Sequence, residues 1–452
     1  MDRAREAAFR CVRAVQADDA YANLALPGIL AQLSLGGRDA AFATELAYGT
    51  LRMRGLYDAI IAKGANRAPE TLDPAVRWCL WLGAHQVLGM RVPAHAAVSQ
   101  TVSLARENAG ERTAKFVNAV MRRISERTRE EWIALVAPGA GRDALATRYS
   151  HPTWVVGQLQ DALTADGRAG ELEALLEADN TPAAVTLVAR PGLIGRDELA
   201  AAGEPTALSP WGVTLAGGDP STIGAIGSGT AAVQDEGSQL VAGALVTAQE
   251  VEADERWLDM CAGPGGKAGL LGALAAQHGA TLEARELHPH RADLVLAAVR
   301  AIPAGTVTVS VGDARDLDGG FDRVLLDAPC TGLGALRRRP EARWRRGGDD
   351  LDELVTLQRQ LLATAARVVR PGGLVAYITC SPVLAETRDV VAGARGLDTI
   401  DARPAMALLT NTDESDWGRG PHIQLWPHAH ATDAMFLALF RRPGAEDGTA
   451  RQ

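Results

Sequence analysis

The sequence predicts a multidomain chain: an all-α bundle, then a small α+β stretch, then an α/β domain on a doubly wound parallel sheet. Three observations predict it. At 452 residues the chain exceeds what one compact core usually accommodates. Its first third repeats apolar residues at helical spacing, with no alternating strand pattern. Its last half alternates short apolar runs with helical stretches, the signature of a parallel sheet. The expected boundaries are residues 1–140, 141–229 and 230–443, followed by a polar disordered tail over 444–452.

In the first domain, apolar positions recur three and four apart over residues 4–15, 40–51, 74–88, 94–107 and 114–124. Breaks such as Leu35-Gly36-Gly37 and Arg91-Val92-Pro93 separate them. The texture then changes. Helical stretches over 154–164 and 170–178 lead into a strand-like run, Ala184-Val185-Thr186-Leu187-Val188, and into turns through Gly217-Gly218-Asp219-Pro220. Beyond 230, strands are expected over 256–260, 281–286, 307–311, 322–326 and 373–379, with helices over 267–277, 291–302 and 352–369.

Composition narrows the function classes. An apolar content of 47% suits folded protein. No apolar run approaches the roughly 18 residues of a membrane helix. The opening Met1-Asp2-Arg3-Ala4-Arg5-Glu6 carries acids and no apolar stretch behind them, so no signal peptide is expected and the cytoplasm is the expected location. Five cysteines, odd in number and far apart, predict neither a disulfide framework nor a zinc site. Cys261, Cys330 and Cys380 lie in Gly/Pro-rich or strand-end contexts that suit reactive thiols. The net charge of −9 is unevenly spread: residues 1–150 hold 20 basic against 15 acidic side chains, the remainder 26 against 40. One dense cluster, Arg337, Arg338, Arg339, Arg343, Arg345 and Arg346, reads either as a phosphate-binding patch or as a solvated basic face.

Three strand ends carry chemistry. Leu258-Asp259-Met260-Cys261-Ala262-Gly263-Pro264-Gly265-Gly266-Lys267 is a strand, a glycine turn and a helix start, where backbone can approach a ligand closely. Glu286 ends the next strand, where an acid can hold ribose hydroxyls, and Asp313 ends the one after. The turn is not the dinucleotide GxGxxG, which favours S-adenosylmethionine over NAD. Asp327-Ala328-Pro329-Cys330 and Thr379-Cys380-Ser381 end two further strands. Either thiol alone reads as a small buried hydrophobe. Two at the ends of strands in one sheet, one beside a carboxylate, suit addition to carbon 6 of cytosine: a thiolate adds, a carboxyl group engages ring nitrogen 3, and carbon 5 becomes nucleophilic.

Residues 230–440 resemble the RNA cytosine-5 methyltransferases that include the B-type bacterial 16S rRNA enzymes (Fmu/Sun-like). The matches are Gln234-Asp235-Glu236-Gly237-Ser238, residues 259–267, Asp327 to Cys330, Arg338-Arg339-Pro340-Glu341 with Trp344, and Thr379-Cys380-Ser381. Residues 1–140 resemble a NusB-type RNA-binding domain, and Arg148-Tyr149-Ser150-His151-Pro152 with Trp154 resembles the family's linker motif. The chain departs from the family at Gly263, Ala268, Thr387 and Ala434.

The resemblance implies a Rossmann-like methyltransferase domain and methyl transfer from S-adenosylmethionine to carbon 5 of a cytosine in 16S rRNA, naked or in an early assembly intermediate. It implies that Cys380 is the nucleophile, that Asp327 engages the base and that Cys330 aids product release. Cys261, Ala262, Gly263, Pro264, Gly265, Gly266 and Lys267 would surround the methionine part of the cofactor, Glu286 the ribose and Asp313 the adenine amino group. Lys267 would orient Asp327 or the cofactor. The same chemistry on tRNA, or a non-catalytic RNA-binding factor, are the alternatives. A monomer is expected, with no membrane and no metal; His428 and His430 have no ligand partners at metal-binding spacing and read as surface or RNA-facing.

Overall fold

The structure, a computed structural model, describes residues 2–444, so the expected tail lies outside the described residues beyond 444. Two compact units emerge. The first comprises residues 1–160, 170–182 and 336–345, the second 161–169, 183–335 and 346–452. The stretch expected to form a connecting domain, 141–229, is thus shared between them. Its helices Arg142–Arg148 and Leu172–Ala178 belong to the first unit and its strands to the second.

The helical unit is built on Arg3–Ala17, Ala22–Gln32, Gly37–Ala65, Pro74–Leu88, Ala94–Ala109, Ala114–Ile124 and Arg129–Val136. Its helix starts are written in the sequence. Asp2 and Asp73 accept backbone N–H groups of the first turn, and Thr128 with Glu131 closes a capping box. The third helix runs to 29 residues, well beyond the expected 40–51, and ends on Asn66 in a left-handed conformation. Ala22–Gln32 was not expected, since Pro27 and Gly28 interrupt its helical reading. Its apolar residues Ala22 and Leu26 are nevertheless buried, so packing outweighs propensity there.

Residues 336–345 belong to this unit, and within the arginine cluster Arg343 departs from the expected surface position while Arg339 and Arg346 are exposed. Arg343 is fully buried; its guanidinium donates to the Ser150 carbonyl at 3.2 Å, to Asn180 Oδ1 at 2.8 Å and to the Asp179 carbonyl at 3.2 Å. Glu341 accepts the Ala22 N–H at 3.1 Å, Arg54 stacks on Trp344 at 4.8 Å, and Arg345 lies over Tyr21 at 4.2 Å. Two motifs nearly 200 residues apart in sequence, around Ser150 and around Arg343, therefore meet in one core.

In the second unit, β1 (Thr186–Ala189), β2 (Gly203–Pro205), β3 (Gly212–Leu215) and β4 (Ala231–Val233) form a small antiparallel sheet in the order β2-β3-β1-β4. The main sheet takes β5 (Arg256–Asp259), β6 (Thr281–Glu286), β7 (Val307–Val311), β8 (Phe321–Asp327), β9 (Val369–Thr379), β10 (Asp398–Ile400), β11 (Ile423–Gln424) and β12 (Phe436–Arg441). Its order is β10-β12-β9-β8-β5-β6-β7, with β11 paired to β12. The five expected strands are present and parallel to one another, separated by helices Gly266–His278, Pro289–Val299 and Gly348–Val368. The sheet as a whole is mixed. β12 runs antiparallel against β9, and β10 and β11 against β12, so the last strands return to cover an edge that a purely parallel sheet would expose. The chain leaves β5 first toward β6 and β7, then crosses back to β8. The switch point falls between β5 and β8, where open α/β sheets bind ligands at their carboxyl edge.

One charged side chain inside β8 holds this unit together. Arg323 is 1% exposed and pairs with Glu255 at 2.7 Å. It also donates to the carbonyls of Leu245, Val246, Gln249 and Glu250 at 2.9–3.1 Å, satisfying the C-terminal end of helix Glu236–Thr247. Glu255 in turn accepts Trp257 Nε1 at 2.6 Å. Among the described residues, no helix is long and apolar enough to cross a membrane. Because Arg323→Ala leaves Glu255 and the carbonyls buried without their donor, denaturant unfolding should show a loss of about 3–5 kcal/mol. A loss below about 1 kcal/mol would contradict this role.

Candidate active site

The five parallel strands deliver their carboxyl ends to one edge, and with them the glycine turn, Glu286, Asp313, Asp327, Cys330 and Cys380. The turn after β5 is fixed to the sheet through its backbone: Met260 N donates to the Leu325 carbonyl at 2.9 Å and Ala262 N to the Arg285 carbonyl at 2.8 Å. Gly265 has φ +109, and a Cβ there would lie 2.5 Å from that of Ala298, so only glycine fits. No side chain caps the helix that follows, which leaves first-turn N–H groups of Gly266–His278 available to an anion.

Glu286, 3% exposed, accepts Gly263 N and His288 N, each at 3.0 Å. A Cβ on residue 263 would fall 2.1 Å from the Glu286 carboxylate, so the departure to Gly263 makes room for this contact. Arg291 donates to the Gly263 carbonyl at 2.7 Å and lies 3.8 Å from the Glu286 carboxylate. Asp313, at the end of β7, is paired with Arg315 at 2.6 Å, and this hydrogen bond holds its carboxyl below the usual range. Gly312 N donates to the Glu286 carbonyl at 2.9 Å, which brings the Asp313 turn beside Glu286.

The two thiols follow from strand register. β8 and β9 are parallel with Asp327 opposite Ile378, and Ala328 N still donates to the Ile378 carbonyl at 2.9 Å. The chains therefore leave the sheet side by side, and Cys330 Sγ lies 3.4 Å from Cys380 Sγ. Gly334 seals the arrangement. Its N–H donates to the Cys380 carbonyl at 2.9 Å and its carbonyl accepts Ala434 N at 2.8 Å, an approach that a Cβ would block at 2.0 Å. The Cys330 thiol is pushed well up, first by its hydrogen bond with Cys380 and then by burial. The Cys261 thiol is pushed well up too, by burial and then by the charge of Asp259.

Lys267 Nζ donates to Asp327 Oδ2 at 2.7 Å. Burial alone would lower the ammonium's pKa, but the Asp327 charge and hydrogen bond outweigh it, and the net shift is upward. Lysine and aspartate form a charge-assisted pair between the cofactor turn and the thiols.

The sequence reading missed three participants. Asp259, 1% exposed, gives one carboxylate oxygen to Cys261 N at 3.3 Å and has no hydrogen-bond partner for the other. Burial, followed by the charge of Asp327, pushes it up to about 7. Its place in the matched 259–267 run was visible in the sequence, its isolation was not. Arg291 and Glu386 had no local signal that set them apart from neighbouring charges such as Asp293 and Asp389. The expectation that His430 faces the surface or RNA is corrected: its Nδ1 accepts Trp426 N at 2.8 Å and its ring stacks on Trp417 at 6.1 Å, a structural role.

Residues 246–441 match the family described as 16S rRNA methyltransferase RsmB/F, and residues 2–126 match the NusB family. The chain is 51% identical over 450 residues to a putative methyltransferase of Mycobacterium tuberculosis, covering 98% of this chain and 97% of that one. It is 33% identical to ribosomal RNA small subunit methyltransferase B of Pseudomonas putida, covering 87% and 91%. The probable ribosomal RNA small subunit methyltransferase B of Bacillus subtilis is 29% identical over 97% of this chain and 99% of its own. Among solved structures, PH0851 shares the fold at a TM-score of 0.79 and 21% identity, covering 98% and 99% of the two chains.

Asp259 gives this site a measurable pH dependence. Its folded value of about 7 stands above the ordinary 3.8. The protonated folded state therefore contributes stability that is fully present below the unfolded value and lost as pH rises through about 7. Asp259→Asn, neutral throughout, should raise the melting temperature more at pH 8 than at pH 5, with the difference about 2 °C or more. Equal effects at the two pH values would mean that Asp259 is ionised in the folded protein at both.

Proposed function

Because the chain belongs to the RsmB/F family of 16S rRNA methyltransferases, we propose that it methylates carbon 5 of a cytosine in small-subunit rRNA through a covalent Cys380 adduct. The observation that carries this reading is the pair of strand-end thiols at 3.4 Å, beside the Asp327–Lys267 pair. A cofactor turn alone would support methyl transfer to many atoms. Two thiols in contact at neighbouring strand ends are what a cycle of nucleophilic addition and elimination needs.

The enzyme depends on S-adenosylmethionine, and the carboxyl edge has the features such a ligand requires. The uncapped helix start beyond Gly265 and the backbone of Cys261, Ala262, Gly263, Pro264, Gly266 and Lys267 suit the methionine part, with its carboxylate. Glu286 suits the ribose and Asp313 the adenine edge. When bound, the cofactor supplies the methyl group on a positively charged sulfur.

The remaining chemistry falls to side chains. Cys380, as thiolate, forms a bond to carbon 6 of the cytosine, and the electron pair of the carbon 5–carbon 6 bond becomes available at carbon 5. Asp327, once protonated, donates to ring nitrogen 3, where negative charge accumulates, and Lys267 fixes the orientation of that carboxyl group. After carbon 5 carries the methyl group, a base takes its proton, that electron pair re-forms the carbon 5–carbon 6 double bond, and Cys380 leaves as thiolate, with Cys330 assisting this elimination. The base must leave its stack to reach the site, so an accessible or single-stranded nucleotide is the substrate.

Methyl-labelled cofactor and 16S rRNA provide the test, with bisulfite mapping of the product. Cys380→Ala should lose methylation by at least about 10³-fold, and Cys330→Ala should accumulate protein–RNA adduct on a denaturing gel. Full activity of Cys380→Ala, or methylation at another ring position, would overturn the assignment.

A further inference from the structure

Glu386 takes no part in the reaction as written, yet it is the best-tied carboxylate near it. It is fully buried at the end of a short turn, Leu384–Glu386, six residues beyond Cys380. Its Oε1 accepts Thr331 N at 2.7 Å and Gln358 Nε2 at 3.1 Å; its Oε2 accepts Thr331 Oγ1 and Ser381 Oγ, each at 2.6 Å. Gln358 also donates to the Pro329 carbonyl at 2.8 Å, and Tyr377 Oη donates to the backbone carbonyl of Glu386 at 2.7 Å.

Thr331 directly follows Cys330, and Ser381 directly follows Cys380. The two hydroxyls stand 3.1 Å apart over the same carboxylate. Four donors fill the acceptor sites of Glu386, so no capacity remains for substrate. A buried charge is costly and is tolerated when fully hydrogen-bonded. A neutral side chain could pack here at lower cost, so what the carboxylate adds is the geometry and charge it imposes on the two loops.

We propose that Glu386 is a positioning residue for the thiol pair: by clamping Thr331 and Ser381 it holds Cys330 and Cys380 at contact distance. This rests on the reading of Cys380 as nucleophile. The same negative charge opposes a second one close by, and it is among the causes that push the Cys330 thiol up, after Cys380 and burial.

Glu386→Gln preserves the volume. Its amide oxygen can face Thr331 N and Gln358, and its NH2 can donate to the two hydroxyls, which rotate to accept. The clamp is then largely kept and the charge is lost. Glu386→Ala removes both. The expected result for Glu386→Ala is a kcat lowered by about 100-fold, with S-adenosylmethionine affinity by calorimetry within about twofold of the unmodified enzyme. Glu386→Gln should recover much of that kcat and move the thiol limb of the kcat/KM pH profile to lower pH by about half a unit or more.

If Glu386→Ala does not fold, the Gln variant decides alone: a shifted limb supports the proposal. A Gln variant with unchanged kcat and unchanged pH profile overturns it, as does a folded Ala variant with unchanged kcat. Cys380→Ala measured in parallel separates the two levels. If it is inactive while the Gln variant is unchanged, only the positioning role fails. If it is active, the underlying mechanism fails.

Discussion

The parallel pairing of β8 with β9 is the constraint on which the site depends. With Asp327 opposite Ile378, and pairing continued to Ala328, two loops must leave the sheet together at the switch point. A one-residue slip would turn the buried side chains Val324 and Leu326 to the opposite faces and separate the thiols. Everything beyond the register refines it. Arg323 ties β8 to helix Glu236–Thr247, Gly334 permits the closest approach of the loops, and Glu386 closes the gap beneath them. The hydrophobic burial of β8 and β9 is thereby converted into a fixed distance between two sulfur atoms.

Charge works against burial across this edge. Asp259, Glu286, Asp327 and Glu386 are four acids within one small region, and each meets a different environment. Glu386 has four donors and Glu286 two backbone N–H groups. Asp327 has Lys267, while Asp259 has one weak donor and takes up a proton near neutrality. Burial next to Asp327 thus raises the proton affinity of Asp259, the one of the four acids held by a single weak donor.

The sheet was legible because β8 and β9 carry nearly continuous buried apolar runs, while β6 and β7 alternate apolar with polar residues, Thr-Leu-Glu-Ala-Arg-Glu and Val-Thr-Val-Ser-Val. The glycine turn and both thiols were legible because they lie directly at strand ends, where local pattern fixes position. What escaped was non-local. The β12 strand, Phe436–Arg441, is an apolar run whose antiparallel partner lies about sixty residues earlier. Arg343 looked like one of six surface charges, since nothing in its neighbourhood announces Ser150 and Asp179 as partners. Arg323 likewise acquires meaning from residues tens of positions away, and so does Glu386 through Thr331 and Gln358.

The central claim is that Cys380, and not Cys330, bonds to the base. Small-subunit rRNA carrying 5-fluorocytosine has no proton at carbon 5 to lose, so elimination is blocked and the adduct persists. Digestion of the trapped complex and mass spectrometry of the cross-linked peptide locate the bond. The account predicts a nucleotide attached to the peptide containing Cys380. Attachment at Cys330, or no adduct with enzyme that is fully active on ordinary rRNA, would contradict it.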